Sequence, residues 1–174
     1  DDPVEVEGDC TWVSGDFDSE SSPLCTGTCR WHDVPPEKVV AILERRRGWA
    51  RAFRSLIRHE ELGDGRAIQV FRARPFRKRQ VTLRITVVET EAGGYHVGWT
   101  RAKQQEPLDE DRVTIPVYDG WWEVQPDGNG GSIVTHGARF DPGPDIPRKF
   151  VKFGMPRQVR RLLKELRSAV DDSR

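Results

Sequence analysis

No stretch of this chain comes near the run of about 18 apolar residues that a membrane-spanning helix needs, which excludes a helical span. Cysteine is absent after residue 29. The three present, Cys10, Cys25 and Cys29, are an odd number, so a fully paired disulfide framework is excluded. One bridge, from Cys10 to Cys25 or to Cys29, is expected if the protein lives in an oxidising compartment. The CTGTC spacing lacks a second cysteine pair or a nearby histidine pair, so no metal site is expected. Net charge is missing too, since 28 basic residues balance 28 acidic ones, and no nucleic-acid module is recognised. Nucleic acid is therefore not an expected partner, despite the basic stretch RARPFRKRQ. Catalytic signatures are wanting as well: there is no GxSxG elbow, HExxH pair, P-loop or dinucleotide fingerprint. GDGR, EAGG and DGNGG read as turns between strands rather than phosphate loops. Neither a catalytic set nor a cofactor is expected. The chain opens DDPVEVEGD without methionine and reads as a processed or trimmed piece. That start and the clustered cysteines tilt the reading toward an exported location without naming the compartment.

What is present is a foldable chain with an uneven charge layout. A length of 174 residues lets one domain bury a core without staples. Only 36% of residues are apolar against 32% charged, but the apolar ones recur periodically, which argues against disorder. Residues 1–37 carry −9, residues 44–84 +9, residues 85–147 −7 and residues 148–174 +6. A positive face built this way can meet anionic lipid headgroups or an acidic partner, or simply balance neighbouring acids. Transient contact with an anionic membrane surface is the partner expectation, with the chain itself a monomer.

GDCTWVSGDFDSESSPLCTGTCRWH reads as two short strands around a polar turn. In DVPPEKVVAILERRR, Pro36 suits a first helical position and Glu37 the positive helix end. Val39, Val40, Leu43, Trp49 and Phe53 form a stripe interrupted at Gly48, which gives a helix and a shorter second one. From Leu56 the period changes to two. SLIRHEEL, AIQVFRAR, RQVTLRITVVET, GYHVGWTRA, DRVTIPVYDGWWEVQP and GSIVTHGARFD read as strands. Their separators are mostly of hairpin length, so an antiparallel, mainly sequential sheet is expected. Val81, Leu83, Ile85 and Val87 share one face, opposite Thr82, Arg84 and Thr86, as in a sheet with one buried and one wet side. The last segment places Met155, Val159, Leu162, Leu163, Leu166, Ala169 and Val170 on one stripe. Arg157, Arg160, Arg161, Lys164 and Arg167 occupy the other face. Pro156 lacks a backbone donor; with Phe150, Val151 and Phe153 as an apolar first turn, a kink there is expected.

Strand pair, two short helices, a run of strands and one long helix, in that order, make an α+β helix-grip plan. A curved antiparallel sheet of roughly six to eight strands would wrap the C-terminal helix. Several stretches are similar to the START lipid-transfer family and its bacterial relatives in the polyketide cyclase-like superfamily. PFRKRQV resembles that family's PxxxRDxV, with Pro75, Arg79 and Val81 in register and Gln80 where an acid is usual. Trp122, Val124 and Pro126 resemble its W-x-hydrophobic-x-P strand. DPGPDIP resembles its DPGG-x-IP loop at Asp141, Pro142, Gly143, Ile146 and Pro147, with Pro144 replacing the second glycine. The likeness spans about residues 30–170. Residues 1–30, the strand pair and Cys-rich opening, are read as part of the same domain that residues 31–174 otherwise build.

The resemblance implies a cavity between sheet and helix that binds and transfers a hydrophobic small molecule of lipid or sterol class, without catalysis. Its walls are expected from Arg79, Trp99, Tyr118, Trp122, Thr135 and Phe140 on strands and from Phe150, Val151, Met155 and Val159 on the helix. A few polar groups among aromatics suit an apolar ligand with one polar end. A buried Arg79 would need a partner such as Glu123 or a ligand headgroup. The loop of Asp141, Pro142, Gly143, Pro144, Ile146 and Pro147 is expected to end a strand, stiffen the approach to the helix and gate the entrance. Asp145 is expected to cap that helix or favour its positive end. Two other readings stand beside this one. A polyketide cyclase/aromatase-like enzyme would use Arg79, Tyr118 or His136 and needs an inward acid–base pair within hydrogen-bond reach. A protein-interaction module would have a filled core with no pocket above about 300 Å³.

Overall fold

The computed structural model describes residues 4–16 and 22–173; the tip of the first polar turn, 17–21, lies outside them. The strands are β1 (Val4–Glu7), β2 (Cys10–Ser14), β3 (Leu24–Trp31), β4 (Leu56–Glu61), β5 (Arg66–Phe71), β6 (Lys78–Glu89), β7 (Tyr95–Arg101), β8 (Arg112–Thr114), β9 (Val117–Pro126) and β10 (Ser132–Asp141). The helices are α1 (Pro36–Glu44), α2 (Trp49–Ala52), which follows a 3₁₀ turn at Arg46–Gly48, and α3 (Arg148–Asp172). All ten strands share one sheet in the order β1-β2-β3-β10-β9-β7-β6-β5-β4, antiparallel throughout, with β8 pairing in parallel with the start of β6.

Among the described residues the strand count exceeds the six to eight expected by two. One addition is β1, in an opening segment where no strand is expected. The other has a local cause: DRVTIPVYDGWWEVQP is two strands rather than one, because Pro116 has no N–H to offer a ladder. Before it, the Ile115 N–H bonds the Gln80 carbonyl at 3.1 Å, so β8 joins β6 while β9 returns to β7. The stretch between β7 and β8 also covers the outer side of β6. The side-chain amide of Gln105 accepts from the Thr82 N–H and donates to the Thr82 carbonyl, both at 2.8 Å, as a neighbouring strand would. Gln80 and Thr82 are therefore buried where the alternation predicts a wet face, while Val87, on the predicted buried face, is 42% exposed near the strand's far end.

The inner face of the sheet holds the core. Alternate residues of β9 (Tyr118, Trp122, Val124) and β10 (Val134, His136, Ala138) are buried there against α1 and α3. Gly120 belongs to the same face because the Trp99 indole lies over it: a Cβ at 120 would sit 2.6 Å from that ring. α3 contributes Met155, Val159, Leu163, Leu166 and Val170, the expected stripe. The helix neither starts nor ends at Pro156 but runs through it from Arg148. Phe150 and Phe153, of the apolar first turn, are 53% and 64% exposed.

Acidic and basic segments meet across the fold. Arg160 of α3 pairs with Glu5 and Glu7 of β1 and lies over Trp12. Arg167 pairs with Asp33 at 2.7 Å and lies over Trp31. Such pairs are each worth little in water, but they show where the helix's positive face is spent. Cys10 and Cys29, directly opposite in the β2–β3 register, form the disulfide, and Cys25 is a buried free thiol.

Candidate functional site

Two adjoining spaces lie between the inner sheet face and α3. The outer chamber, about 170 Å³, is walled by Phe71, Phe140, Ile146, Phe150, Val151 and Met155, with Arg79, Pro142 and Gln158 also on its lining. A smaller inner niche, about 30 Å³, is bordered by Trp49, Phe53, Gln69, Trp99, Tyr118, Trp122 and His136. Ser55, Phe71 and Gln158 line both, so the two adjoin. The wall between helix and sheet is continuous aromatic surface: Phe53 stacks on Trp122 at 5.5 Å, Trp122 on His136 at 4.1 Å, and Tyr118 meets Phe71 and Phe140 edge-on at 5.5 Å.

The sequence-predicted residues divide among these spaces. Arg79, Phe140, Phe150, Val151 and Met155 line the outer chamber, and Trp99, Tyr118 and Trp122 line the inner niche. Val159 is buried in the core but lines neither. Thr135 does not belong to the site. Strand alternation puts it on the face opposite His136, where its hydroxyl lies 3.0 Å from that of Thr28. Residues the sequence reading did not single out are Gln69, Phe71, Phe53, Trp49, Ser55 and Gln158. Gln69 was legible as the one polar residue within AIQVF; the others needed the tertiary fold.

Arg79, 1% exposed, is not paired with Glu123. Its guanidinium donates to three backbone carbonyls: Nε to Pro142 at 3.0 Å, Nη1 to Arg77 at 2.8 Å, and Nη2 to Pro144. Burial pulls its pKa below the ordinary value, with Asp145 acting in the opposite direction. Glu123 instead faces His96 at 3.6 Å, away from the guanidinium's bonds. The arginine thus straps loop 141–147 to β6. Within that loop the Asp141 carboxylate accepts from the Gly143 N–H at 2.9 Å, and Gly143 has φ +88, where a side chain would be strained. Asp145 does not cap α3: it sits at φ +75 and accepts from Arg77 at 3.1 Å, while Pro147 occupies the cap position.

The titratable groups near the niche are held in neutral forms. Burial lowers the His136 pKa to about 4 and raises that of Tyr118 well above the ordinary phenol value. An acid–base pair does lie within hydrogen-bond reach, His59 with Glu61 at 3.1 Å, but it lines neither chamber and Glu61 is also bound by Arg46.

Residues 32–171 match the family described as polyketide cyclase / dehydrase and lipid transport, so the chain belongs to that family. The fold is the START helix-grip fold. It is similar to a STAR-related lipid transfer protein fragment from Xanthomonas axonopodis, with TM-score 0.82 at 19% identity over 97% of this chain and 98% of that one. Human StAR-related lipid transfer protein 5 superposes with TM-score 0.81 at 14% identity, over 98% and 86% of the two chains. The di-domain ARO/CYC BexL from the BE-7585A biosynthetic pathway matches with TM-score 0.57 at 16% identity, over 85% of this chain and 46% of that one. No curated protein matches the chain. At these identities the likeness is one of fold.

Proposed function

We propose that this protein binds a hydrophobic small molecule between the sheet and α3 and carries it without chemical change. The observation that carries the reading is the outer chamber, whose walls are mainly apolar side chains and which adjoins an aromatic niche. Removing apolar ligand surface from water there supplies roughly 25 cal/mol per Å², before the cost of association. Binding is favoured over a cyclase reaction because Arg79 bonds three backbone carbonyls, Tyr118 is held protonated by burial, and the His59–Glu61 pair, which does lie within hydrogen-bond reach, lines neither space.

At about 170 Å³ the chamber is below the 300 Å³ or more usual for ligand pockets. A lipid or sterol would enter only with displacement of the wall formed by loop 141–147 and the first turns of α3. That wall carries the exposed Phe150 and Phe153, with Arg148, Lys149 and Arg157 beside them, and Lys149 lies over the Phe150 ring at 5.4 Å. Aromatic side chains flanked by basic ones suit the interface of an anionic bilayer, and docking there would deliver ligand to the mouth of the chamber.

The test is native mass spectrometry of the purified protein with solvent extraction of whatever travels with it. A stoichiometric apolar adduct is the expected result. Protein that carries none, and that takes up no member of a panel of sterols, fatty acids, phospholipids and polyketides, would overturn the reading in favour of a protein-interaction module.

A further inference from the structure

The inner niche holds an arrangement that filling space does not explain. Three buried polar atoms on its lining residues, Gln69 Oε1, Trp99 Nε1 and His136 Nε2, make no hydrogen bond among the described residues. Burying one such atom unpaired is costly, and three on the lining of one small space are more than incidental. Gln69 is 2% exposed, Trp99 5% and His136 1%, so solvent at the surface does not satisfy them.

The character of each atom is fixed by what lies behind it. The Glu61 carboxylate only accepts, so His59 Nε2, 3.1 Å away, carries the proton. Burial lowers the His59 pKa, leaving the ring neutral and its Nδ1 an acceptor. That Nδ1 lies 3.0 Å from Gln69 Nε2, which turns Gln69 Oε1 away as a free acceptor. His136 Nδ1 lies 2.9 Å from the Trp121 carbonyl and must donate to it, so His136 Nε2 is also a free acceptor. The Trp99 indole N–H can only donate. Beside the hydroxyls of Ser55 and Tyr118, the latter next to the Trp99 indole, and the amide of Gln158, the niche therefore offers two free acceptors and one donor, and no charged side chain lines it.

We infer that the niche is a subsite for one neutral hydroxyl group carried on a flat apolar ring. The hydroxyl donates to Gln69 Oε1 or His136 Nε2 and accepts from the Trp99 N–H. A volume near 30 Å³ is above the roughly 10–15 Å³ that a cavity needs to hold one water, so a hydroxyl fits and the ring remains in the outer chamber. A carboxylate or phosphate at this end would face two acceptors with no cation beside it. The ligand class that follows is alcohols and phenols on fused or planar rings, bound hydroxyl end first, rather than lipids led inward by a charged headgroup. This rests on the proposed binding of an apolar molecule and adds its polar chemistry and orientation.

The experiment compares 2-naphthol, naphthalene and 2-naphthoate by calorimetric titration of the unaltered protein. The indole N–H resonances are followed by NMR, with that of Trp99 assigned through Trp99→Phe. The expected result is 2-naphthol binding about tenfold or more tightly than either competitor, as a buried hydrogen-bond set predicts. The Trp99 N–H signal should shift with 2-naphthol and not with naphthalene. Gln69→Met and His136→Phe should each narrow the ratio of 2-naphthol to naphthalene affinity. Equal binding of 2-naphthol and naphthalene would overturn the subsite, leaving it a pocket for a water molecule only, while the apolar cavity stood. Tightest binding by 2-naphthoate would overturn it in favour of an anion site. No binding by any of the three would also overturn it, and adduct extraction would then decide separately whether the cavity binds ligand. The wild-type comparison needs no variant to fold.

Discussion

Replacing Arg79 with methionine keeps the length of the side chain and removes the guanidinium that straps loop 141–147 to the sheet. Three carbonyls, of Pro142, Arg77 and Pro144, then lose their donors in a region where Arg79 is 1% exposed. Hydrogen bonds to a charged group are worth about 1.5–3 kcal/mol each, but they are not additive, and freed carbonyls near the loop surface will recover some water. Removing one partner of a buried charged cluster costs about 3–5 kcal/mol, and that is the expected destabilisation. For a chain of this size it corresponds to a fall in Tm of roughly 10 °C. The assay is urea unfolding of wild type, Arg79→Met and Arg79→Lys, with hydrogen exchange followed by mass spectrometry. Lysine keeps the charge but not the fork, so it should lie between the two. Exchange should rise in peptides covering 141–147 and the first turn of α3 and stay unchanged in β9. A loss below about 1 kcal/mol, with unaltered exchange in the loop, would refute the strapping role.

His136 makes stability depend on pH. Its folded pKa of about 4 lies below the 6.5 of a free imidazole, so the unfolded chain binds the proton more readily. The stabilisation is whole above pH 6.5 and is lost as pH falls toward 4, by roughly 3 kcal/mol; His136→Phe should flatten that part of the urea-derived profile. Gly143→Val places a Cβ 3.0 Å from the Thr114 carbonyl at φ +88, and should distort loop 141–147 and slow ligand exchange if that loop gates the chamber. Unchanged ligand exchange in a folded variant would count against loop 141–147 as the gate. The Cys10–Cys29 bridge closes a sequence separation of 19 residues, and the double serine variant should lose roughly 3 kcal/mol by urea titration. A non-reducing peptide map should show Cys25 unpaired.

The helix-grip plan was legible because two periods follow each other along the chain: two-residue steps within the strands from Leu56 to Asp141, then three- and four-residue steps from Met155 to Val170. The division at Pro116 was legible in principle, since the proline sits mid-run, but which strand β8 would join depends on a loop crossing the outer face. That Gln105 would imitate a strand could not be read from composition. The loop at 141–147 stood out by its prolines, yet the identity of its anchor did not: an arginine satisfied by carbonyls leaves no acidic partner in the sequence to find. Thr135 failed as a site residue for the simplest reason. Its place in the alternation is fixed by the pairing of β10 with β9, and one step of register changes its face.

The pairing of β3 with β10 also has a consequence for how the molecule comes into being. Thr28 and Thr135 touch across the sheet but are 107 residues apart in the chain. On a ribosome, β2 and β3 emerge long before the strand that will flank them, and α3, which roofs the same face, emerges last. Until then the meander from β4 to β9 can assemble from local hairpins, while β3 waits with one edge unpaired and Trp31 and Val34 uncovered. Closing so long a loop adds little to the free energy but much to the waiting time. The early strand edge is therefore where a nascent chain would pair with a second copy of itself, and a chaperone's protection would count most before residue 141 has been made.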